Sequence, residues 1–144
     1  MKKFSFPLQA VLNVREMAED LAKQKLAHAQ QQFEAEKEKL RYMEDEWIQV
    51  CRVISGDLEQ IKQNHYYREM LNNRIESQKC IVAQKQSLLK KARQKAIMAE
   101  RDRKVIENLK ALHVKEYRQM VLAEEQKFLD EIAVLRYAGN KRQE

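Results

Sequence analysis

A chain of 144 residues with two glycines and one proline has almost no means of turning. Pro7 lies near the start and Gly139 near the end, so Gly56 alone interrupts the long stretch between them. Glycine and proline are the residues that end helices and build tight turns, and their scarcity leaves long helices as the economical solution. Charged residues make up 35% of the chain and aromatics 7%, too few large side chains for a thick globular core. A thin apolar seam between helices is the alternative.

Heptad spacing locates that seam. From Ala22, alternating steps of four and three pick out Ala22, Leu26, Ala29, Phe33, Glu36, Leu40, Met43, Trp47, Val50, Ile54, Asp57 and Ile61; all but Glu36 and Asp57 are apolar. The same template from Leu71 gives Leu71, Ile75, Gln78, Val82, Lys85, Leu89, Ala92, Ala96, Ala99, Arg103 and Ile106. Gln78, Lys85 and Arg103 are its polar members. The fold class expected is all-α, an antiparallel two-helix coiled-coil hairpin with a longer second helix, in a single domain over residues 1–144.

The turn is expected where punctuation concentrates, at Ser55-Gly56-Asp57. Gly56 suits the left-handed position that closes a helix, and Asp57 with Gln60 three residues on has the form of an N-cap and capping box. The polar run Gln63-Asn64-His65 is the competing site. The reading is helix 1 over about 8–54, helix 2 over about 58–137, and a polar tail over 138–144 that begins as Gly139 stops the helix. At a rise of about 1.5 Å per residue the helices would be roughly 70 Å and 120 Å long. Pairing about Gly56 sets Leu8 level with Lys104 and leaves 105–137 without an intrachain partner. Val121, Phe128, Ile132 and Leu135 recur there at helical spacing, which points to an external partner, with fraying or self-association as the alternative.

Much chemistry is excluded. A two-helix hairpin offers no pocket in which catalytic groups converge, and glycines as far apart as Gly56 and Gly139 make no phosphate loop. His28, His65 and His113 are scattered, and none has a second His or Cys four residues away on the same face, so no metal is expected. No cofactor is implied. No run of eighteen apolar residues exists, and charges from Arg15 onward interrupt any signal-peptide core, so a cytoplasmic protein is expected. Cys51 and Cys80 read as ordinary thiols, set too far apart by the hairpin for an internal disulfide.

The charge is localised. Between Lys85 and Lys104 eight bases face only Glu100 and Asp102, an excess equal to the net charge of +6 of the entire chain. The absence of interleaved aromatics argues against nucleic acid, and the absence of large apolar residues against membrane insertion. An acidic protein surface, steered by Lys90, Lys91 and Arg93, is the functional reading; a solvated face is the alternative.

The ends of the chain are more specific. Phe4-x-Phe6-x-Leu8-x-x-Val11-Leu12-x-x-Arg15-Glu16 opens the first helix, and Glu124-Glu125-Gln126-Lys127-x-Leu129-Asp130-Glu131-Ile132-Ala133 lies near the end of the second. With Tyr67-x-x-x-Leu71-x-x-x-Ile75, this pattern resembles the flagellar export protein FliJ family over nearly the whole chain. The resemblance implies a cytoplasmic, non-enzymatic, stalk-like component of the flagellar type III export apparatus. Such a component binds a hexameric export ATPase, the cytoplasmic domain of the export gate and export chaperones. Carried onto this sequence, Phe4, Phe6, Leu8, Leu12, Arg15, Glu124, Gln126, Lys127, Asp130 and Glu131 fall at the ATPase-facing end, with Phe128 and Ile132 as its apolar contacts. Tyr67 and Leu71, with Trp47 beside them, fall where gate contact is expected; seam packing is their other reading. A generic self-associating coiled-coil adaptor is the alternative function.

Overall fold

A computed structural model describes residues 3–53 and 56–141. Among them are two helices, α1 (Gln9–Arg52) and α2 (Leu58–Asn140), and no strand. The expected two-helix hairpin with a longer second helix is what forms. Two compact units are distinguished within it, Met17–Glu100 and Met1–Glu16 with Arg101–Glu144.

In the unit Met17–Glu100, the heptad template becomes the contact face. On α1, Ala22, Leu26, Ala29, Phe33, Glu36, Leu40, Met43 and Val50 are half-buried. On α2, Leu71, Ile75, Gln78 and Leu89 are buried, and Val82, Lys85, Ala92, Ala96 and Ala99 half-buried. The helices are antiparallel: Tyr67 bonds Glu46, Gln78 bonds Glu36 and Lys85 bonds Gln32, later residues of α2 meeting earlier residues of α1. The pairing satisfies the polar members of the seam, because an unbonded polar group would make burial unfavourable there.

The turn falls at Gly56-Asp57, with Ile54 and Ser55 outside the described residues, and not at Gln63-Asn64-His65. Helix α1 ends at Arg52, two residues before the expected Ile54, its last turn tightening into a bond from Val53 N to Val50 O of 3.3 Å. Gly56 therefore does not close α1 in the left-handed helical conformation. Its φ of 157° belongs to the extended positive-φ region that glycine tolerates best, within the passage to α2. Asp57 behaves as the N-cap: its N–H donates to Gln60 Oε1 at 3.3 Å, and its carbonyl accepts from Ile61 N at 3.0 Å.

The far end of α2 departs from expectation. The helix runs through Gly139 to Asn140, so Gly139 does not stop it. A glycine inside a helix costs only about 1 kcal/mol relative to alanine, and nothing lies within 4 Å of where its Cβ would be to divert the chain. The expected polar tail is thus helical as far as Asn140, and 142–144 lie outside the described residues.

In the other unit, α1 starts after Pro7, which sits in the first turn where its missing N–H has no intrahelical partner to lose. Gln9 N bonds Phe6 O at 3.2 Å and Leu12 N bonds Leu8 O at 2.9 Å, completing that turn. The start of the chain then lies along α2. Gln9 accepts from Lys110 Nζ at 2.8 Å, Phe6 stands edge-on to His113 with centroids 5.6 Å apart, and Phe4 packs on Tyr117 at 5.4 Å. This corrects the expected level of Leu8 beside Lys104. Helical side chains lean toward the N-terminus of their own helix, so contacting residues lie C-terminal to their backbone level on both partners. The segment before α1 is also non-helical, and extended chain advances about twice as far per residue as helix. The uncovered part of α2 consequently begins near Met120, not at Val105.

Candidate partner-binding surfaces

Residues drawn from the two termini do come together, but they divide into two kinds. Phe6 and Leu12 are 7% and 4% exposed, and Phe4 and Leu8 are half-buried, so these side chains hold the start of the chain to α2. Arg15 is ion-paired with Asp102 at 3.0 Å, both partly exposed. By contrast Glu124, Gln126, Lys127, Phe128, Asp130 and Glu131 all stand in solvent, with Gln126 donating to Asp130 at 3.0 Å along the helix. Phe128 is 63% exposed and Leu135 71%, while Val121 and Ile132 are half-buried.

The stripe Val121, Phe128, Ile132, Leu135 follows from the covered one. His113, Tyr117 and Val121 are spaced four and four, a stutter that turns the apolar face slightly before it resumes heptad spacing. The N-terminal segment covers this face as far as Tyr117, and a groove of about 340 Å³ beside it is lined by Phe4, His113, Tyr117 and Met120, among others. Beyond that groove the apolar face carries on uncovered.

In the unit Met17–Glu100, Trp47, Tyr67 and Leu71 receive different environments. Leu71 is 2% exposed, the most buried large side chain, and is a seam residue. Tyr67 is half-buried and its hydroxyl donates to Glu46; that bond, then burial, pushes its pKa above the usual tyrosine value. Trp47 is 38% exposed and, with Ile48, Ile75 and Asn72, lines an open groove rimmed by Glu44 and Lys79. Of the three, Trp47 is the one left exposed.

Glu36, Gln78 and Lys85 stand in the sequence as polar exceptions in the heptads, and the structure gives each a partner across the seam. Gln78 Nε2 donates to the Glu36 carboxylate at 2.6 Å and to its backbone carbonyl at 3.0 Å, and Lys85 Nζ donates to Gln32 Oε1 at 3.2 Å. The bond from Gln78, then that from Lys39, holds the Glu36 carboxyl below its ordinary pKa. Glu19, with its side chain 4% exposed and ion-paired to Lys23 at 2.8 Å, also escaped the periodicity reading because it lies outside the template.

Lys90, Lys91, Arg93 and Lys95 are exposed, so the basic stretch is solvent-facing there, whereas Lys85 is drawn into the seam. Among the described residues no three His, Cys, Asp or Glu side chains gather to hold a metal ion, and no helix is long and apolar enough to cross a membrane. Cys51 and Cys80 are free thiols.

An antiparallel helical hairpin with open grooves, a helix left partly uncovered and a segregated charge defines a coiled-coil interaction protein. No curated protein and no solved structure matches the chain. The family model for the flagellar FliJ protein matches residues 4–142, and the chain belongs to that family. It is thus a component of flagellar protein export, in a family whose members serve as non-catalytic parts of the export apparatus.

Proposed function

We propose that this protein is a cytoplasmic stalk of the flagellar type III export apparatus that binds the hexameric export ATPase through the uncovered part of α2, without enzymatic activity of its own. The observation that carries the reading is the exposed Phe128, on the stripe with Ile132, in a member of this family. Apolar surface left in water is a standing drive toward association, about 25 cal/mol for each Å² removed on binding. In this reading Glu124, Gln126, Lys127, Asp130 and Glu131 set orientation around the apolar contacts. Phe4, Phe6, Leu8, Leu12 and Arg15 act by fixing where the covered region ends. Trp47 is the contact for the cytoplasmic domain of the export gate, with Tyr67 and Leu71 holding the helix pair that presents it. Export chaperones and the acidic faces of partners are met by the basic stretch.

The test is a pull-down of the export ATPase by the Phe128→Ala/Ile132→Ala variant, with motility of a strain carrying it. Loss of capture and of swimming, with helicity unchanged by circular dichroism, is expected. Retention of the ATPase at the wild-type level refutes the assignment. A wild-type chain that sediments as a dimer, and whose dimer these substitutions dissolve, would identify the stripe as a self-association surface instead.

A further inference from the structure

The polar contacts of the Met17–Glu100 unit carry a consequence for register. A coiled coil repeats every seven residues, so sliding one helix by one heptad returns a seam residue to every seam position. Apolar layers discriminate weakly between such registers; buried polar side chains discriminate strongly, because a misplaced one loses its hydrogen bond. In this unit the polar members of the α2 template are Gln78 and Lys85, one heptad apart; Gln78 meets Glu36 of α1 and Lys85 meets Gln32.

The two directions of sliding are unequal. Moved one way, α2 replaces Gln78 by Leu71 opposite Glu36, leaving a carboxylate against an alkyl group, and places Arg68 where Ile75 is buried. Moved the other way, toward the turn, α2 brings Lys85 opposite Glu36. Val82 takes the place of Ile75, Leu89 that of Val82, Ala96 that of Leu89 and Ala92 that of Lys85. Two apolar positions turn polar, since Gln78 enters the slot of Leu71, the most buried in the seam, and Arg103 that of the half-buried Ala96; the opposite slide turns three polar, at Leu71, Ile75 and Ala92. The slide needs about two turns of α2 beside the turn to unwind, and it releases the contacts Gln9–Lys110, Phe6–His113 and Phe4–Tyr117 at the start of the chain. Leu58 is 72% exposed and Ile61 47%, and between Leu58 and Asn64 only Asn64 is even half-buried.

We propose that the Glu36–Gln78 contact is a register lock, and that the seam has one alternative setting, a heptad toward the turn, in which Glu36 pairs with Lys85. Gln78 works twice: it satisfies Glu36 in the observed register and is the wrong side chain for the slot of Leu71 in the other. Lys85 already bonds Gln32, one helical turn from Glu36 on α1, which places the alternative partner close at hand. The proposal is independent of which partner the chain binds.

The test uses the full chain with both native cysteines changed to serine and spin labels on Lys25→Cys and Glu76→Cys, two exposed sites on opposite helices. Because α2 moves toward the turn, the alternative setting lengthens this distance by about 10 Å, seven residues of helical rise. Double electron–electron resonance should give one distance in the otherwise unmodified chain. Gln78→Leu, which removes both actions of the lock, should add a population about 10 Å longer. Glu36→Leu/Gln78→Leu and Gln78→Leu/Lys85→Leu should not show it, because the attracting pair is gone. A single unshifted distance in Gln78→Leu, or a longer population that survives loss of Lys85, overturns the proposal.

Discussion

Replacing Leu71 by alanine and, separately, Phe128 by alanine sets the seam against the uncovered arm. Leu71 is 2% exposed, so truncation removes nearly its full complement of apolar contacts. Buried leucine-to-alanine changes cost about 2–5 kcal/mol, the spread depending on how far the surroundings collapse into the space. A two-helix seam is one layer thick and water reaches its flanks, so the low end applies, about 2–3 kcal/mol. That is about a 30- to 150-fold rise in the unfolding constant of the Met17–Glu100 unit at roughly 1.4 kcal/mol per factor of ten. Phe128, 63% exposed, touches little that folding buried, and its truncation should stay within about 0.5 kcal/mol. Urea unfolding followed by circular dichroism reads both. With a slope of about 1–3 kcal/mol per molar, Leu71→Ala should lower the midpoint by about 1 M or more, and Phe128→Ala by a small fraction of that. Equal midpoint losses would mean that Phe128 is packed within the chain and that the uncovered arm does not exist as described.

The two glycines should respond oppositely: Gly139→Ala should strengthen the end of α2 by about 0.5–1 kcal/mol, seen as slower amide exchange there. Gly56→Ala should weaken the start of α2, since a Cβ on that positive-φ backbone would press on the Gln60 side chain that caps Asp57. The depressed pKa of Glu36 gives a sign for acid: its contribution is full above the ordinary carboxylate value and is lost as pH falls through the lower folded value. Urea midpoints of Gln78→Ala should therefore fall less steeply with acidification than those of wild type. Lys90→Glu/Lys91→Glu/Arg93→Glu should leave helicity intact, because exposed charges add little to stability. It should weaken capture of acidic partners most at low ionic strength, and an equal loss at high salt would contradict a steering role.

The sequence by itself determined the two helices, their heptad faces and the neighbourhood of the turn. Each follows from local rules: periodicity chooses the buried face, and the scarcity of glycine and proline leaves little choice of where to turn. It also carried the family, through terminal residues such as Phe4, Phe6 and the 124–131 run that heptad packing does not require. Tertiary structure decided the rest. Periodicity contains no axial coordinate, so it could not show that Gln9 meets Lys110 or that Phe4 reaches Tyr117, and it began the uncovered arm too early. It marked Phe4, Phe6 and Trp47 alike as candidate contacts; packing covered the first two with α2 and left Trp47 partly in solvent. It recorded Glu36, Gln78 and Lys85 as interruptions of an apolar pattern. Their bonds to one another and to Gln32 depend on which turn of one helix stands beside which turn of the other, and that is fixed by contacts between residues far apart in the chain.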